Sequence, residues 1–233
     1  MILQLIQWLP WQQDAVSTSR GREMKVTVIG AGNMGSAFVQ QLTRAGHQVS
    51  VTARDGSKAA QLAAAHPGAV AVPVAGAAQG ADVVVLATGY ADAASALAAV
   101  GVQHDQAVID ITNPLTADYM GLTLGHSSSA AEEIAKAVPQ VAIVKGFNTL
   151  FAQVLAAGAD LGGGRVASVF LASDSAAAKE KASELAQSLG FEVVDAGGLK
   201  NARYLEPLAG LNIYLGYGAG RGTSIAPAWI SKV

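Results

Sequence analysis

Three glycines with the spacing G-x-G-x-x-G carry the strongest chemical signal in the chain, at Gly30, Gly32 and Gly35. They follow an apolar, β-rich run and open a stretch with helical periodicity, the context in which this spacing indicates a dinucleotide site. The first glycine allows a tight turn, the second lets the backbone approach a pyrophosphate, and the third lets the helix pack closely on a strand. Backbone N–H groups near Asn33 and Met34 would then face phosphate oxygens. A plain glycine-rich turn is the alternative.

The end of the second predicted strand decides between NAD and NADP. NAD-specific domains place an Asp or Glu there, against the ribose hydroxyls. Here the segment reads Thr52, Ala53, Arg54, so no carboxylate opposes a 2′-phosphate, and Arg54 can offer it paired N–H donors. Lys58 can add another donor. We therefore predict NADP; the alternative is an exposed Arg54 without a ligand, neutralised by Asp55.

Composition and charge exclude several other kinds of site. The chain has no cysteine, so it can form neither a disulfide nor a thiolate site, and its four dispersed histidines do not have metal-ligand spacing. We expect no metal. A net charge of −2 with scattered Lys and Arg gives no basic field for nucleic acid.

Arg203 and Glu206 are expected to form an exposed i, i+3 pair, and no residue is assigned as catalytic.

The elements that position these residues alternate between β-rich and Ala-rich helical runs. This alternation is typical of parallel strands joined by crossover helices. We predict an α/β fold, a Rossmann-type doubly wound parallel sheet with a small C-terminal α/β extension. Predicted strands cover 25–30, 47–53, 69–72, 82–87, 107–111, 141–147, 165–172 and 191–196, and predicted helices cover 33–45, 56–65, 91–99, 129–137, 150–157, 175–189 and 200–215.

The segment before the first strand, residues 1–23, is expected to be an N-terminal extension. Its apolar start is interrupted by two glutamines and stopped by Pro10, well short of the roughly 20 residues that a membrane helix needs. We therefore expect a cytoplasmic protein without a membrane partner. The predicted division is 1–23 as extension, 24–145 as NADP-binding domain, and 146–233 as a smaller region for cofactor or substrate binding and dimerisation.

Several sequence blocks resemble the F420-dependent NADP oxidoreductase family. The blocks are VTVIGAGNMGSAF, Arg54 with Asp55, VVVLATGY, DITNPL, VKGFNTL, DAGGLKNARYLEPLA and Gly220 to Ala226, and they span about 24 to 227. The first block alone is also similar to pyrroline-5-carboxylate reductases, whereas the later blocks are more specific. The resemblance implies hydride exchange between the nicotinamide C4 and the C5 of a deazaflavin, F420. Ala53 departs from the family, which often has a small hydroxyl residue before the Arg.

The same resemblance implies which loops line the two rings. As alternatives, the first two residues of the 113–115 loop form a turn, the first two of the 148–151 loop cap a helix, and the aromatic residues belong to the core. The implied ring-lining residues are Thr88, Gly89, Tyr90, Asn113, Pro114, Leu115, Asn148, Thr149, Leu150 and Phe151.

The last predicted helix is apolar nearly all the way round, more than one small domain leaves beside solvent. Family members are similar in forming homodimers through their C-terminal parts, so we expect a homodimer. Packing of this helix against the domain's own helices is the alternative.

Two rival functions stay open. One is an NADPH-dependent reductase of a flavin, ferric chelate, quinone, imine or carbonyl compound, and here the chain resembles the nucleotide-binding portion of the STEAP ferric reductases. The other is an NADPH-binding redox sensor without turnover. An open second pocket beside the nicotinamide favours an enzyme, and a closed one favours a sensor.

Overall fold

Two parallel sheets organise residues 22–104 and 106–230, the part of the chain that the computed structural model describes. The predicted N-terminal extension covers residues 1–23, of which residues 1–21 lie outside the described part. The strands are β1 (Lys25–Ile29), β2 (Gln48–Thr52), β3 (Ala69–Ala71), β4 (Val83–Leu86), β5 (Ala107–Asp110), β6 (Ala142–Lys145), β7 (Ser168–Leu171) and β8 (Glu192–Asp195). The α-helices are α1 (Asn33–Ala45), α2 (Gly56–Ala65), α3 (Ala93–Val100), α4 (Ala130–Ala137), α5 (Ala152–Ala157), α6 (Ala176–Ser188) and α7 (Ala202–Ile213).

The large sheet has the strand order β3-β2-β1-β4-β5-β6, and the small sheet pairs β7 with β8. Every pairing between these strands is parallel. β4 and β5 are buried along their whole length, as expected for strands covered by helices on both faces. The strand order reverses between β1 and β4, which opens a crevice at the carboxyl edge of the sheet. The predicted α/β Rossmann-type fold is confirmed.

Helix α1 connects the large sheet to the C-terminal part. Its buried Phe38 packs edge-on against Phe147 with ring centroids 5.0 Å apart, and Phe147 packs similarly against Phe191 at 5.8 Å. Burial of one such side chain contributes about 1.5–3 kcal/mol. α1 ends at Gly46, whose φ of 87° is left-handed, as glycine allows without a Cβ clash. These three aromatic side chains therefore hold α1 in place against the residues that follow β6.

The predicted elements are all present, with differences at their ends. The last helix is preceded by a 3₁₀ turn at Leu199–Asn201 and is continued by a π-helical turn at Tyr214–Gly218. Among the described residues, no helix is both long and apolar enough to cross a membrane.

The prediction of an exposed Arg203–Glu206 pair is wrong. Glu206 is 1% exposed and binds Lys145, whereas Arg203 makes a two-pronged ion pair with Glu132, at 2.7 and 2.8 Å. The i, i+3 spacing places the two side chains on neighbouring helix positions, but the tertiary packing of α7 turns one of them inward.

Candidate functional site

The glycine loop after β1 has the geometry that its sequence spacing predicts. Gly30 has a φ of +121°, and a Cβ there would lie 2.3 Å from the Ala87 carbonyl oxygen. A Cβ at Gly35 would lie 1.9 Å from the Gly30 carbonyl oxygen, so the helix can approach the strand only with glycine at that position. A Cβ at Gly32 would meet no atom within 4 Å. The glycine loop is therefore tightly packed against the protein at Gly30 and Gly35, and it leaves free space at Gly32.

A first cavity of about 530 Å³, which we call the cofactor cavity, lies at the ends of β1, β2 and β4. Its volume falls within the usual range for small-molecule sites. It brings together these predicted residues: Gly30, Gly32, Thr52, Ala53, Arg54, Lys58, Thr88 and Gly89. The sequence reasoning missed Asp92 and Ser95, which also line it.

Arg54 lies at the mouth of the cofactor cavity with its side chain 87% exposed. Its Nη1 is 3.4 Å from a carboxylate oxygen of Asp92, a long contact for a charge-assisted hydrogen bond. Asp55 has a different role, because its carboxylate accepts hydrogen bonds from the Ser57 N–H and hydroxyl at 3.0 and 2.6 Å. These bonds lower the pKa of Asp55 and cap α2. The carboxylate that contacts Arg54 is thus Asp92 and not the predicted Asp55, and Arg54 is held loosely enough to take another anion.

The N-terminus of α1 is the second feature that favours an anion, and its N-cap residue Gly32 lines the cofactor cavity. No side chain caps it, and no acidic residue lies in its first turn. The unsatisfied N–H groups and the positive end of the helix dipole are therefore left for a ligand. The buried hydroxyl of Thr52 has no hydrogen-bond partner among the described residues. These features fit a dinucleotide with a pyrophosphate and a 2′-phosphate.

A second cavity, of about 670 Å³, lies close to the first at the start of α1, where the consecutive residues Gly32 and Asn33 line one cavity each. We call it the amide cavity, because its wall carries five carboxamide side chains, those of Asn33, Asn113, Asn148, Gln153 and Asn212. The other predicted residues that it brings together are Met34, Thr149, Leu150 and Phe151.

Three of the four asparagines of the amide cavity take part in a hydrogen-bonded network. Asn113 Nδ2 donates to the Asn148 carbonyl, and Asn148 Nδ2 donates to Asn113 Oδ1 and to the Leu205 carbonyl, each at 3.0 Å. Asn212 Nδ2 donates to the Thr149 carbonyl, also at 3.0 Å. The network ties the loops after β5 and β6 to α7, so side chains that are far apart in sequence share one wall.

The structure excludes a helix-capping role for Asn148 and Thr149. The N-cap residue of α5 is Phe151, and it makes no side-chain capping hydrogen bond. Asn148 Oδ1 and Thr149 Oγ1 are both buried and have no partner among the described residues. These two side chains therefore do not cap the helix, and both line the amide cavity.

Four predicted site residues line neither cavity. Gly35 packs against Gly30. Tyr90 is half-buried in a 3₁₀ turn, where burial, and then the negative charge of Glu133, raises the pKa of its hydroxyl. The remaining two, Pro114 and Leu115, belong to a hairpin: the Pro114 carbonyl accepts from the Thr123 N–H at 2.7 Å, and Leu115 pairs with Leu122.

A buried ion cluster lies at the ends of β5 and β6. Lys145 Nζ is 2.8 Å from Asp110 and 2.9 Å from Glu206, and all three side chains are at most 1% exposed. Lys145 also donates to the Thr112 carbonyl, directly before Asn113. Glu206 accepts from the N–H groups of Ala130 and Ala131 at 2.8 and 3.1 Å, at the positive end of α4. The cluster fixes the backbone that presents Asn113, and the sequence reasoning missed it because its members come from three separate elements.

Comparisons with known proteins show the family of this chain. The family model for coenzyme F420-dependent NADP oxidoreductases matches residues 25–114. A solved structure from Arthrobacter sp. FB24, designated an F420-dependent NADP-reductase, is 31% identical with a TM-score of 0.76, covering 86% of this chain and 96% of that one.

More distant similarities point to other reductases. The metalloreductase STEAP3 of Rattus norvegicus is 28% identical over 185 residues, which cover 79% of this chain and 36% of STEAP3, so the chain spans about a third of that curated relative. An imine reductase from Pseudomonas sp. is 20% identical with a TM-score of 0.60, covering 85% of this chain and 64% of that one. The latter likeness shows the fold alone.

Proposed function

Because this chain belongs to the family of coenzyme F420-dependent NADP oxidoreductases, we propose that it transfers hydride between NADPH and a deazaflavin of the F420 type. The observation that carries this proposal is the presence of two cavities on either side of the start of α1, lined by the consecutive residues Gly32 and Asn33. One cavity has the loop and cations that suit NADP, and the other is uncharged over most of its wall and partly aromatic. We infer that two ligands bound in them lie side by side near the first turn of α1.

In the cofactor cavity, each residue has a proposed task toward NADP. The backbone of Gly32, which lines this cavity, holds the pyrophosphate together with the N–H groups of the next two residues, Asn33 and Met34, whose side chains belong to the amide cavity. Arg54 and Lys58 hold the 2′-phosphate, for which the neutral Ala53 leaves room. Thr88 and Gly89, beyond β4, line the path toward the nicotinamide.

In the amide cavity, the residues align the acceptor and exclude water. When bound, NADPH supplies a hydride from its nicotinamide C4, and the acceptor takes it at C5 together with a solvent proton at N1. Met34, Leu150 and Phe151 provide apolar surface, and the asparagine network provides polar contacts at its edge. Because the cofactors carry the reactivity, the protein contributes alignment rather than an acid or base. We therefore assign no catalytic residue.

This assignment implies that different parts of the chain bind the two ligands. We propose that residues 24–145 bind NADP, and that the part from 146 onward, with the 148–151 loop and α7, completes the acceptor site. Asn212 and Ile213 of α7 line the amide cavity.

A reductase acting on a ferric chelate or flavin is the second candidate, supported by the similarity to STEAP3. Among the described residues, no group of three His, Asp or Glu side chains could hold a metal ion. An iron acceptor would thus have to enter the amide cavity as a chelate. The presence of this second cavity, of about 670 Å³, favours turnover over a purely sensing role.

The proposed function predicts the order of acceptors in an NADPH oxidation assay. With F420, FMN, FAD, ferric citrate and a cyclic imine assayed in parallel, we expect kcat/KM for F420 to exceed the others by at least about tenfold, a difference of roughly 1.4 kcal/mol in transition-state binding. A ferric chelate as the best acceptor would establish the second candidate instead. NADPH binding with no turnover of any acceptor would support the sensor.

We further propose that α7 forms a homodimer interface. Tyr204, Pro207, Leu211 and Tyr214 follow one another at three- and four-residue steps and are all exposed. Tyr204 is 74% exposed and Leu211 54%. A row of apolar side chains along one helix face is self-complementary across a two-fold axis.

Light scattering at micromolar concentration tests the dimer. We expect twice the 23.5 kDa mass of the chain for the natural sequence and the monomer mass for Leu211→Glu, because a dimer would bury two carboxylates without partners. Val70→Glu, an exposed apolar site on β3 (61% exposed), is the matched control and should stay dimeric. A monomer mass for the natural sequence would refute the dimer.

A further inference from the structure

A third cavity, of about 440 Å³, lies between the loop before α4 and the start of α7. We call it the basic cavity, and it shares no lining residue with the cofactor cavity or the amide cavity. Among the described residues that line it, none is acidic. These residues are His126, Lys200, Asn201, Arg203, Tyr204 and Pro207. A wall of this composition suits an anion better than a cation.

Arg203 is held in the wall of the basic cavity by an ion pair and still has free donors. Its Nε and Nη2 donate to the Glu132 carboxylate at 2.8 and 2.7 Å, and its Nη1 donates to the His126 carbonyl at 3.5 Å. A guanidinium carries five N–H groups, so two remain for a ligand. The hydrogen bonds to Glu132 raise the pKa of Arg203. The guanidinium is therefore a fixed and permanently charged donor.

Lys200 adds a positive charge that no described carboxylate balances. Its ammonium makes no hydrogen bond or ion pair with any described residue. Glu132 balances the charge of Arg203. Asp174, which follows β7, accepts from the Leu199 N–H at 2.9 Å and does not line the cavity. The basic cavity therefore keeps an excess of positive charge for an incoming anion.

The remaining donors of the basic cavity suit a phosphate better than a carboxylate. Besides Arg203 and Lys200, Asn201 keeps one amide N–H, since its Nδ2 donates once, to a backbone carbonyl. Tyr204 adds a hydroxyl. A phosphate group presents three strong acceptor oxygens, whereas a carboxylate presents two. The exposed ring of Tyr204 and the side chain of Pro207 form an apolar wall on which the body of a phosphate ester can lie.

We propose that the basic cavity is a separate binding site for the phosphate group of a small molecule, either free phosphate or a phosphate monoester. The site does not depend on the proposed hydride transfer, because it shares no residue with the two cavities that serve it. Tyr204 and Pro207 also belong to the exposed row on α7 that we propose as the dimer interface. The basic cavity therefore borders that interface.

Isothermal titration calorimetry tests the site in the full chain. Saturating NADP⁺ keeps the probe out of the cofactor cavity, and chloride holds the ionic strength constant. With inorganic phosphate as the probe, we expect saturable binding with a Kd of about 1 mM. Phenyl phosphate separates the two sources: an equal Kd would assign binding to the phosphate group alone, and a lower Kd would add a contact with the Tyr204 ring. No saturable binding of either probe would overturn the inference and leave the proposed function intact.

Lys200→Gln shows whether the phosphate binds in the basic cavity. Because Lys200 is exposed, we expect an unchanged Tm. The Kd for phosphate should rise about fivefold, less than for a buried charge-assisted hydrogen bond, because solvent screens an exposed ammonium. Lys25→Gln removes the same charge from an exposed lysine at the start of β1 and is the matched control, with an unchanged Kd. An unchanged Kd in Lys200→Gln, or an equal rise in both variants, would overturn the inference.

Discussion

Replacing Lys145 by Met should lower the free energy of unfolding by about 3–5 kcal/mol, the usual cost of leaving a buried charge without its partner. Lys145 is fully buried between the carboxylates of Asp110 and Glu206, at 2.8 and 2.9 Å. Met fills a similar volume but supplies no charge. Two carboxylates would then be left in the core, with the N-terminus of α4 beside one of them as partial compensation.

Urea unfolding monitored by circular dichroism measures this effect, and the chain offers a matched control. Lys136 on α4 makes an ion pair of the same length, 2.8 Å, with Glu133, but its side chain is 66% exposed. Lys136→Met should cost less than about 0.5 kcal/mol, because surface ion pairs contribute little. Equal effects of the two substitutions would contradict the assigned role of the cluster.

Removing all three charges separates the cost of unpaired charge from the cost of lost packing. The variant that combines Lys145→Met, Asp110→Asn and Glu206→Gln should recover part of the lost stability, because no ion remains buried. The amide cavity should stay altered, since the hydrogen bond from Lys145 to the Thr112 carbonyl is absent in both variants. Stability and acceptor binding are thus expected to respond differently.

The sequence predicts most of the fold because its elements are specified locally. α1 illustrates this: the glycine spacing marks its start, its apolar periodicity marks its buried face, and Gly46 marks its end, and the structure has it at Asn33–Ala45. β4 and β5 are short apolar runs bounded by polar or turn residues, a pattern that predicts buried parallel strands. Each of these signals lies within about a dozen residues.

The polar partnerships could not be predicted in the same way because they are not local. Asp92 meets Arg54 across 38 positions, and Glu206 meets the N-terminus of α4 across 75 and 76 positions. No spacing rule relates such pairs, and the i, i+3 rule proposed a wrong partner for Glu206. The asparagine network of the amide cavity has the same character, since Asn113 and Asn148 lie 35 positions apart. A single sequence thus predicts the loops that form the site better than the contacts within it.

Arg54→Glu should weaken NADPH binding roughly tenfold to hundredfold and leave NADH binding nearly unchanged. A hydrogen bond to a charged group contributes about 1.5–3 kcal/mol, which corresponds to that range in Kd. We expect a change in Kd in the lower half of this range, because the Arg54 side chain is 87% exposed and solvent screens its charge. Glutamate at this position would also repel a 2′-phosphate. Calorimetric titration with both cofactors measures the change.

Asp92→Asn is the informative companion, because it removes the carboxylate that competes with a phosphate for Arg54 at 3.4 Å. A surface pair of this kind is worth about 0.2–1 kcal/mol, so NADPH should bind up to about fivefold more tightly, and NADH should not. When Asp92→Asn is combined with Arg54→Glu, no arginine is left for the 2′-phosphate to bind. Any remaining gain in NADPH affinity would then come only from the removal of one negative charge beside the phosphate. If the natural sequence bound NADPH and NADH equally, or if Arg54→Glu weakened both cofactors alike, Arg54 would not be the residue that distinguishes them.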